Sequence, residues 1–134
     1  MAMEMIPSPH LTQCLMAIPG LRRIEVEYMQ SWASETHTRA FAVMENSKIV
    51  SLALIHLVDF NPVHPNRAAP WVIDFIVTHP DYRRRGFAQT LVEEMKIHTS
   101  DLVAITCNAA SDELFVNAAF VESGYRTYTW NDGK

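Results

Sequence analysis

Glycine is scarce in this chain, with four in 134 residues, at Gly20, Gly86, Gly124 and Gly133. They are too scattered for a dinucleotide-binding loop, which needs three spaced glycines, and no Gly-Lys-Ser/Thr offers a P-loop. Cysteine is scarcer still. Cys14 and Cys107 lie far apart without metal-ligand spacing. A reduced, cytoplasmic setting is the simpler reading, with one disulfide between them left open. The six histidines do not repair the missing metal signal, because His56, His64 and His79 lack close-spaced ligand partners. No basic excess is present: the formal net charge is −4 and the sequence pI near 5.8. That argues against a nucleic-acid partner and leaves cationic substrates open. Apolar runs long enough to cross a bilayer are also absent, so no membrane role is expected. Met1 to Pro9 has Glu4 where a secretory signal wants a basic residue, and prolines where it wants an apolar core. It reads as a loose leader.

What is present is a chain of one-domain length, 49% apolar and 19% charged, suited to a globular core. Its most informative run is Val77-Thr78-His79-Pro80-Asp81-Tyr82-Arg83-Arg84-Arg85-Gly86-Phe87-Ala88. An apolar strand, Trp71 to Val77, ends in a short polar loop that delivers Gly86 to the start of an amphipathic helix. Helix N-termini carry unpaired N–H groups and the positive end of the dipole, so they bind phosphates. A glycine there admits close backbone approach and torsions a side chain forbids. Arg83, Arg84 and Arg85 add positive charge. The run therefore reads as a phosphate cradle. A solvated basic turn is the plainer alternative, and the flanking strand and helix weigh against it.

The same residues resemble the cofactor motif of the GNAT superfamily of N-acetyltransferases, Arg/Gln-x-x-Gly-x-Gly/Ala, matched by Arg83, Gly86 and Ala88. The resemblance covers most of the chain from about Leu21 onward. It implies a mixed α/β fold and an acetyl-CoA co-substrate. Arg83, Arg84, Arg85, Gly86, Phe87, Ala88 and Gln89 would hold the pyrophosphate, and Phe75, Ile76 and Val77 the pantetheine. The partner would be a small-molecule or protein amine.

The remaining elements fit that order. His10 to Ile18 and Leu21 to Ser34 have helical spacing. Thr38 to Met44 and Ile49 to Val58 are strand-like about a turn at Glu45-Asn46-Ser47-Lys48. Asp59 to Pro70 is a proline-rich loop. Phe87 to His98 is a helix and Leu102 to Cys107 a buried strand. Ser111 can cap a helix running through Leu114, Phe115, Ala118 and Val121, stopped by Gly124. Tyr125 to Trp130 closes the series as a strand. The family commonly adds one strand more, so the sheet is expected to lack its last strand. An open edge of that kind suggests a homodimer.

Acyl transfer to an amine needs a proton acceptor, an oxyanion donor and an acid for the leaving sulfur. Asp74 interrupts the otherwise apolar Trp71 to Val77 and is the candidate general base or amine anchor. A structural aspartate bonded to backbone or arginine is the competing reading. The amide of Ile76 or Val77 would be the oxyanion donor, and Asn108 could bond pantetheine or simply form a turn. Phe120-Val121-Glu122-Ser123-Gly124-Tyr125 is similar to the family's Tyr-x-x-x-Gly-Phe/Tyr segment, but Phe120 stands where the family's acidic tyrosine would be. Phe120 is therefore expected to pack beside the thioester. That departure motivates a second reading, a non-catalytic acyl-CoA-binding or regulatory module. A tRNA-acetylating enzyme, a third possibility of this fold, is disfavoured by the acidic balance. The resemblance implies that Leu21 to Thr38 and Asp59 to Pro70 shape the acceptor side, where Glu25, Glu27, Glu35, Asp59 and His64 would make a mildly acidic set, although glutamates on helices are commonly just solvated. His56, alternating with apolar neighbours on a strand, could enter the acceptor cleft or face solvent, and a core or surface role is the expectation.

Overall fold

The computed structural model describes residues 2–5, 21–32, 37–46, 48–59, 69–106 and 108–133. Two β-rich runs, β2 (Thr38–Glu45) and β3 (Lys48–Leu57), pair antiparallel and form the centre of the molecule. Val50 to Ile55 of β3 are each no more than 1% exposed, because helices cover both faces of the sheet there. On one face Phe41, Val43, Ala53 and Ile55 pack against Leu91, Val92 and Met95 of α2 (Phe87–His98). On the other, Ala40, Ala42, Leu52 and Leu54 pack with Trp32 of α1 (Arg23–Trp32). Trp32, fully buried, anchors α1 by its last turn.

The sheet continues through β4 (Trp71–Thr78), β5 (Asp101–Ile105), β6 (Val121–Gly124) and β7 (Thr127–Asn131), with α3 (Ala109–Asn117) between β5 and β6. Including β1 (Ala2–Met5), it has seven strands in the order β1-β2-β3-β4-β5-β7-β6. Among the described residues, only β4 and β5 pair in parallel. This is the mixed α/β architecture expected.

Four expectations need correction. Residues Ala2 to Met5 are no loose leader, but an edge strand paired with β2 from Ala2↔Val43 to Met5↔Ala40. Arg39 fastens it, its Nε and Nη2 donating to the Glu4 carboxylate at 2.8 and 2.6 Å. The sheet does not lack a final strand either. Helix α3 ends at Asn117, and Ala119 turns left-handed (φ 66°), which frees Val121 to Gly124 to pair with β7. Val121 thus leaves the helix, and Gly124 ends a strand rather than stopping a helix. Finally, the α3 cap is Asn108, whose side chain accepts from the Ser111 amide at 2.8 Å; Ser111 lies inside the first turn. The expected helix His10 to Ile18, and most of the loop Asp59 to Pro70, lie outside the described residues.

Candidate functional site

Two irregularities in β4 create the site. The first is where β4 leaves its neighbour: it pairs with β5 only at Trp71↔Leu102 and Val72↔Val103, although the strands run on to Thr78 and Ile105. Beyond Val72 the two diverge. The second is a bulge against β3, where Leu54 faces Phe75 and Ile55 faces Ile73, leaving Asp74 as the extra residue. Bulges break the alternation of faces. Ile73 accordingly belongs to the core under α2, and Phe75 to the core under α1.

Divergence opens a groove of about 490 Å³. Ile73 to Thr78 form one wall; Ala104, Ile105, Thr106 and Asn108 form the other. Leu114 and Phe115 of α3, Ala88 of α2, Glu25 in the first turn of α1 and Arg22 just before it complete the lining. The β4 side is held firmly. Buried Ser51 donates to the Val77 carbonyl at 3.1 Å and lies 2.9 Å from the Thr78 hydroxyl, while the His79 amide donates to the Val50 carbonyl at 2.7 Å.

The loop after β4 is built by local contacts. His79 Nδ1 accepts from the Asp81 amide, capping the short 3-10 turn Pro80–Tyr82. The Tyr82 ring meets His79 edge-on at 5.5 Å, leans on Phe87 and carries the Arg85 guanidinium at 5.0 Å. Arg84 and Gly86 both take positive φ, 65° and 80°, which reverses the chain into α2. Gly86 is the N-cap without any side-chain cap bond, so the first-turn N–H groups point out of the helix. A Cβ added at Gly86 would meet nothing within 4 Å. Torsion, not crowding, demands glycine here, and its outer face is open to a ligand. Arg83, Arg84, Arg85 and Gln89 are all exposed around it.

The groove therefore brings together Asp74, Phe75, Ile76, Val77, Ala88 and Asn108, whereas Arg83 to Phe87 and Gln89 adjoin Ala88 along the chain and are not among its lining residues. Phe75 lines the wall while stacking on Tyr28 at 6.4 Å. Asn108 lines the other wall with its Oδ1 committed to the α3 cap. Phe120 is not among the groove-lining residues. Its amide closes on the Phe115 carbonyl at 3.0 Å, and its ring packs at 5.1 Å from Phe115 and under Lys96. The early end of α3 draws it into the core.

Glu25 of the groove lining, and His56, which touches the groove-lining Asp74, were underrated in sequence. Glu25 is 5% exposed rather than solvated, held by the Arg22 amide at 2.7 Å. His56 places Nδ1 at 2.6 Å from Asp74 Oδ1, with side chains 37% and 6% exposed. The pairing depends on the bulge, which periodicity alone does not reveal. His64 and Glu35 lie outside the described residues. Among the described residues, no three His, Cys, Asp or Glu side chains gather as a metal site.

The same fold is found in solved structures. The N-acetyltransferase YlbP of Bacillus subtilis, solved with coenzyme A, superposes with a TM-score of 0.72 at 15% identity, covering 98% of this chain and 95% of its own. The aminoglycoside 6'-N-acetyltransferase AAC(6')-Ih of Acinetobacter baumannii gives 0.72 at 14% identity, with 92% and 93% covered. The ribosomal-protein-S18-alanine N-acetyltransferase of Escherichia coli gives 0.67 at 15%, with 96% and 90% covered. These likenesses establish the fold. No curated protein matches in sequence. The model of the Acetyltransferase (GNAT) family matches residues 10–120, a stretch that takes in the diverging strands, the bulge and the loop into α2, and the chain belongs to that family.

Proposed function

We propose that the protein transfers the acetyl group of acetyl-CoA to a primary amine by direct attack in a ternary complex. One observation carries the reading: a single groove is lined both by Ala88, in the first turn of α2 after Gly86, and by Asp74 with its buried carboxylate. The residues along it suit the co-substrate in order. The first-turn amides of α2 and the Arg83–Arg85 guanidinium groups meet pyrophosphate. The edge of β4 from Phe75 to Val77, unpaired on the β5 side, offers backbone groups to the pantetheine amides.

At the Asp74 end the residues supply the acid–base chemistry. Asp74 takes a proton from the acceptor nitrogen, which must be neutral to attack. The amide of Ile76 or Val77 stabilises the oxyanion that develops at the carbonyl. Phe120 has no proton to give and lies in the core, so water protonates the departing sulfur. Holding both substrates in one groove supplies much of the remaining rate. The acceptor is a small-molecule or protein amine; similar folds act on aminoglycosides and on a ribosomal protein. Two cysteines in the whole chain accord with a reducing, cytoplasmic setting.

The test is release of free thiol from acetyl-CoA in the presence of a panel of small amines and amino-terminal peptides. Turnover with at least one acceptor, lowered about 100-fold or more by Asp74→Asn, is the expected result. Tight acetyl-CoA binding without turnover across the panel would favour the non-catalytic acyl-CoA-binding module instead.

A further inference from the structure

Resting on that reading, we propose that His56 is a positioning residue for the transfer, its imidazole holding the Asp74 carboxylate ionised and oriented toward the incoming amine. The two residues come from adjacent strands. His56 faces Val72 in the β3–β4 register, and the bulge at Asp74 resets which way the following side chains point. The outcome is a contact of 2.6 Å between His56 Nδ1 and Asp74 Oδ1. Asp74 lines the groove and is 94% buried as a side chain, being 6% exposed, whereas His56 is 37% exposed.

That arrangement answers a chemical difficulty. A carboxylate shielded from water tends to keep its proton, and a carboxyl that keeps its proton cannot accept one from an amine. A ring N–H donated to Oδ1 stabilises the anion and fixes the plane of the carboxylate. In the step itself the acceptor N–H breaks as an O–H forms on Asp74. The nitrogen lone pair bonds to the thioester carbonyl carbon, and the C–S bond breaks. The sulfur keeps the electron pair and gains a proton from water. Asp74 returns its proton to solvent after the amide leaves, so His56 exchanges none.

The other charged or titratable groups on the surrounding elements are largely engaged with one another. Arg22, just before α1, pairs with Glu25 at 3.2 Å, and on α1 Arg23 pairs with Glu27 at 3.4 Å; the helix also carries Tyr28. Arg39 of β2 turns to the opposite face, toward Glu4. His37 precedes β2 and Asp59 follows β3. His56 meets Asp74 from the neighbouring strand, Nδ1 to Oδ1.

The experiment compares kcat/KM against pH for wild type, His56→Phe, His56→Gln and Asp74→Asn, with acetyl-CoA affinity measured calorimetrically on each. In His56→Phe the acid limb should move up by about one pH unit, with acetyl-CoA affinity unchanged. His56→Gln keeps an N–H donor and should fall between. An acid limb that stays in place in His56→Phe, with activity lowered evenly at all pH values, would overturn the proposal and leave the acetyltransferase reading intact. Nitrogen-15 spectra of the His56 ring provide a readout independent of turnover. The ring proton should sit on Nδ1 in wild type and shift toward Nε2 in Asp74→Asn. A wild-type ring protonated on Nε2 alone would sink the pairing even in an inactive protein. Absent turnover with an intact Nδ1–H signal would instead count against the acetyl transfer.

Discussion

Gly86 takes a left-handed torsion, φ 80°, at the last position before α2, and no atom lies within 4 Å of where its Cβ would be. An alanine there costs only the torsional strain, roughly 1–2 kcal/mol. Gly86→Ala should therefore lower the melting temperature by a few degrees and keep most of the affinity for CoA. Phe120 differs, since its ring fills the core against Phe115 at 5.1 Å. Phe120→Ala is expected to lose about 3–5 kcal/mol in urea unfolding while the folded fraction binds CoA normally. Loss of CoA binding at unchanged stability would return Phe120 to the groove. These residues also mark what sequence reveals at this scale. Gly86 was legible because its role follows from chain neighbours, a strand before and a helix after. Phe120 sits in a recognisable motif, but its surroundings depend on where α3 stops. His56 and Asp74 were both visible as polar residues in apolar strands, and their contact was not, because a bulge leaves little trace in periodicity.

Among the elements, α2 was readable in full at Phe87–His98, its apolar face formed by Leu91, Val92 and Met95. Strand β1 was not. Four residues with one charge give too short a pattern, and it is the Arg39–Glu4 pair, 35 residues apart in sequence, that secures them. Arg39 also donates to the His98 carbonyl at 3.1 Å, joining β1 and β2 to the end of α2. The hydrogen bond from Arg39 chiefly, aided by the charges of Arg39 and His98 and opposed by burial, holds the Glu4 carboxyl below its ordinary value of 4.5. The folded state thus binds that proton less readily than the unfolded chain. Its stabilisation is fully present above about pH 4.5 and is lost as pH falls through the lowered value. Glu4→Gln should cost about 1 kcal/mol near neutrality and flatten the acid side of the stability curve. Hydrogen exchange at Met3 and Met5 should speed up in this variant, and unchanged protection there would show that the pair does not secure β1. Strand β7 was read as Tyr125 to Trp130 and is found at Thr127–Asn131, but its hairpin partner β6 was missed for a related reason. Helical spacing continues through Val121, while the left-handed turn at Ala119 that ends α3 is adopted by a residue with no sequence preference for it.

For the molecule as a whole, the groove is a product of topology. The pairing of β4 and β5 stops after two residue pairs, and the loop that leaves β4 brings the N-terminus of α2 to the end of the gap they leave. Neither strand shows this divergence in its own composition, so periodicity did not anticipate it. The central claim is that this groove binds CoA with its phosphates at Gly86. It is tested most directly by calorimetric titration of acetyl-CoA and CoA into wild type, Gly86→Ala and Gly86→Glu, with folding checked by circular dichroism. The account predicts saturable binding to wild type, near-normal binding to Gly86→Ala, and binding abolished in a folded Gly86→Glu, whose carboxylate would occupy the phosphate position. Undiminished binding to Gly86→Glu, or none to folded wild type, would contradict it.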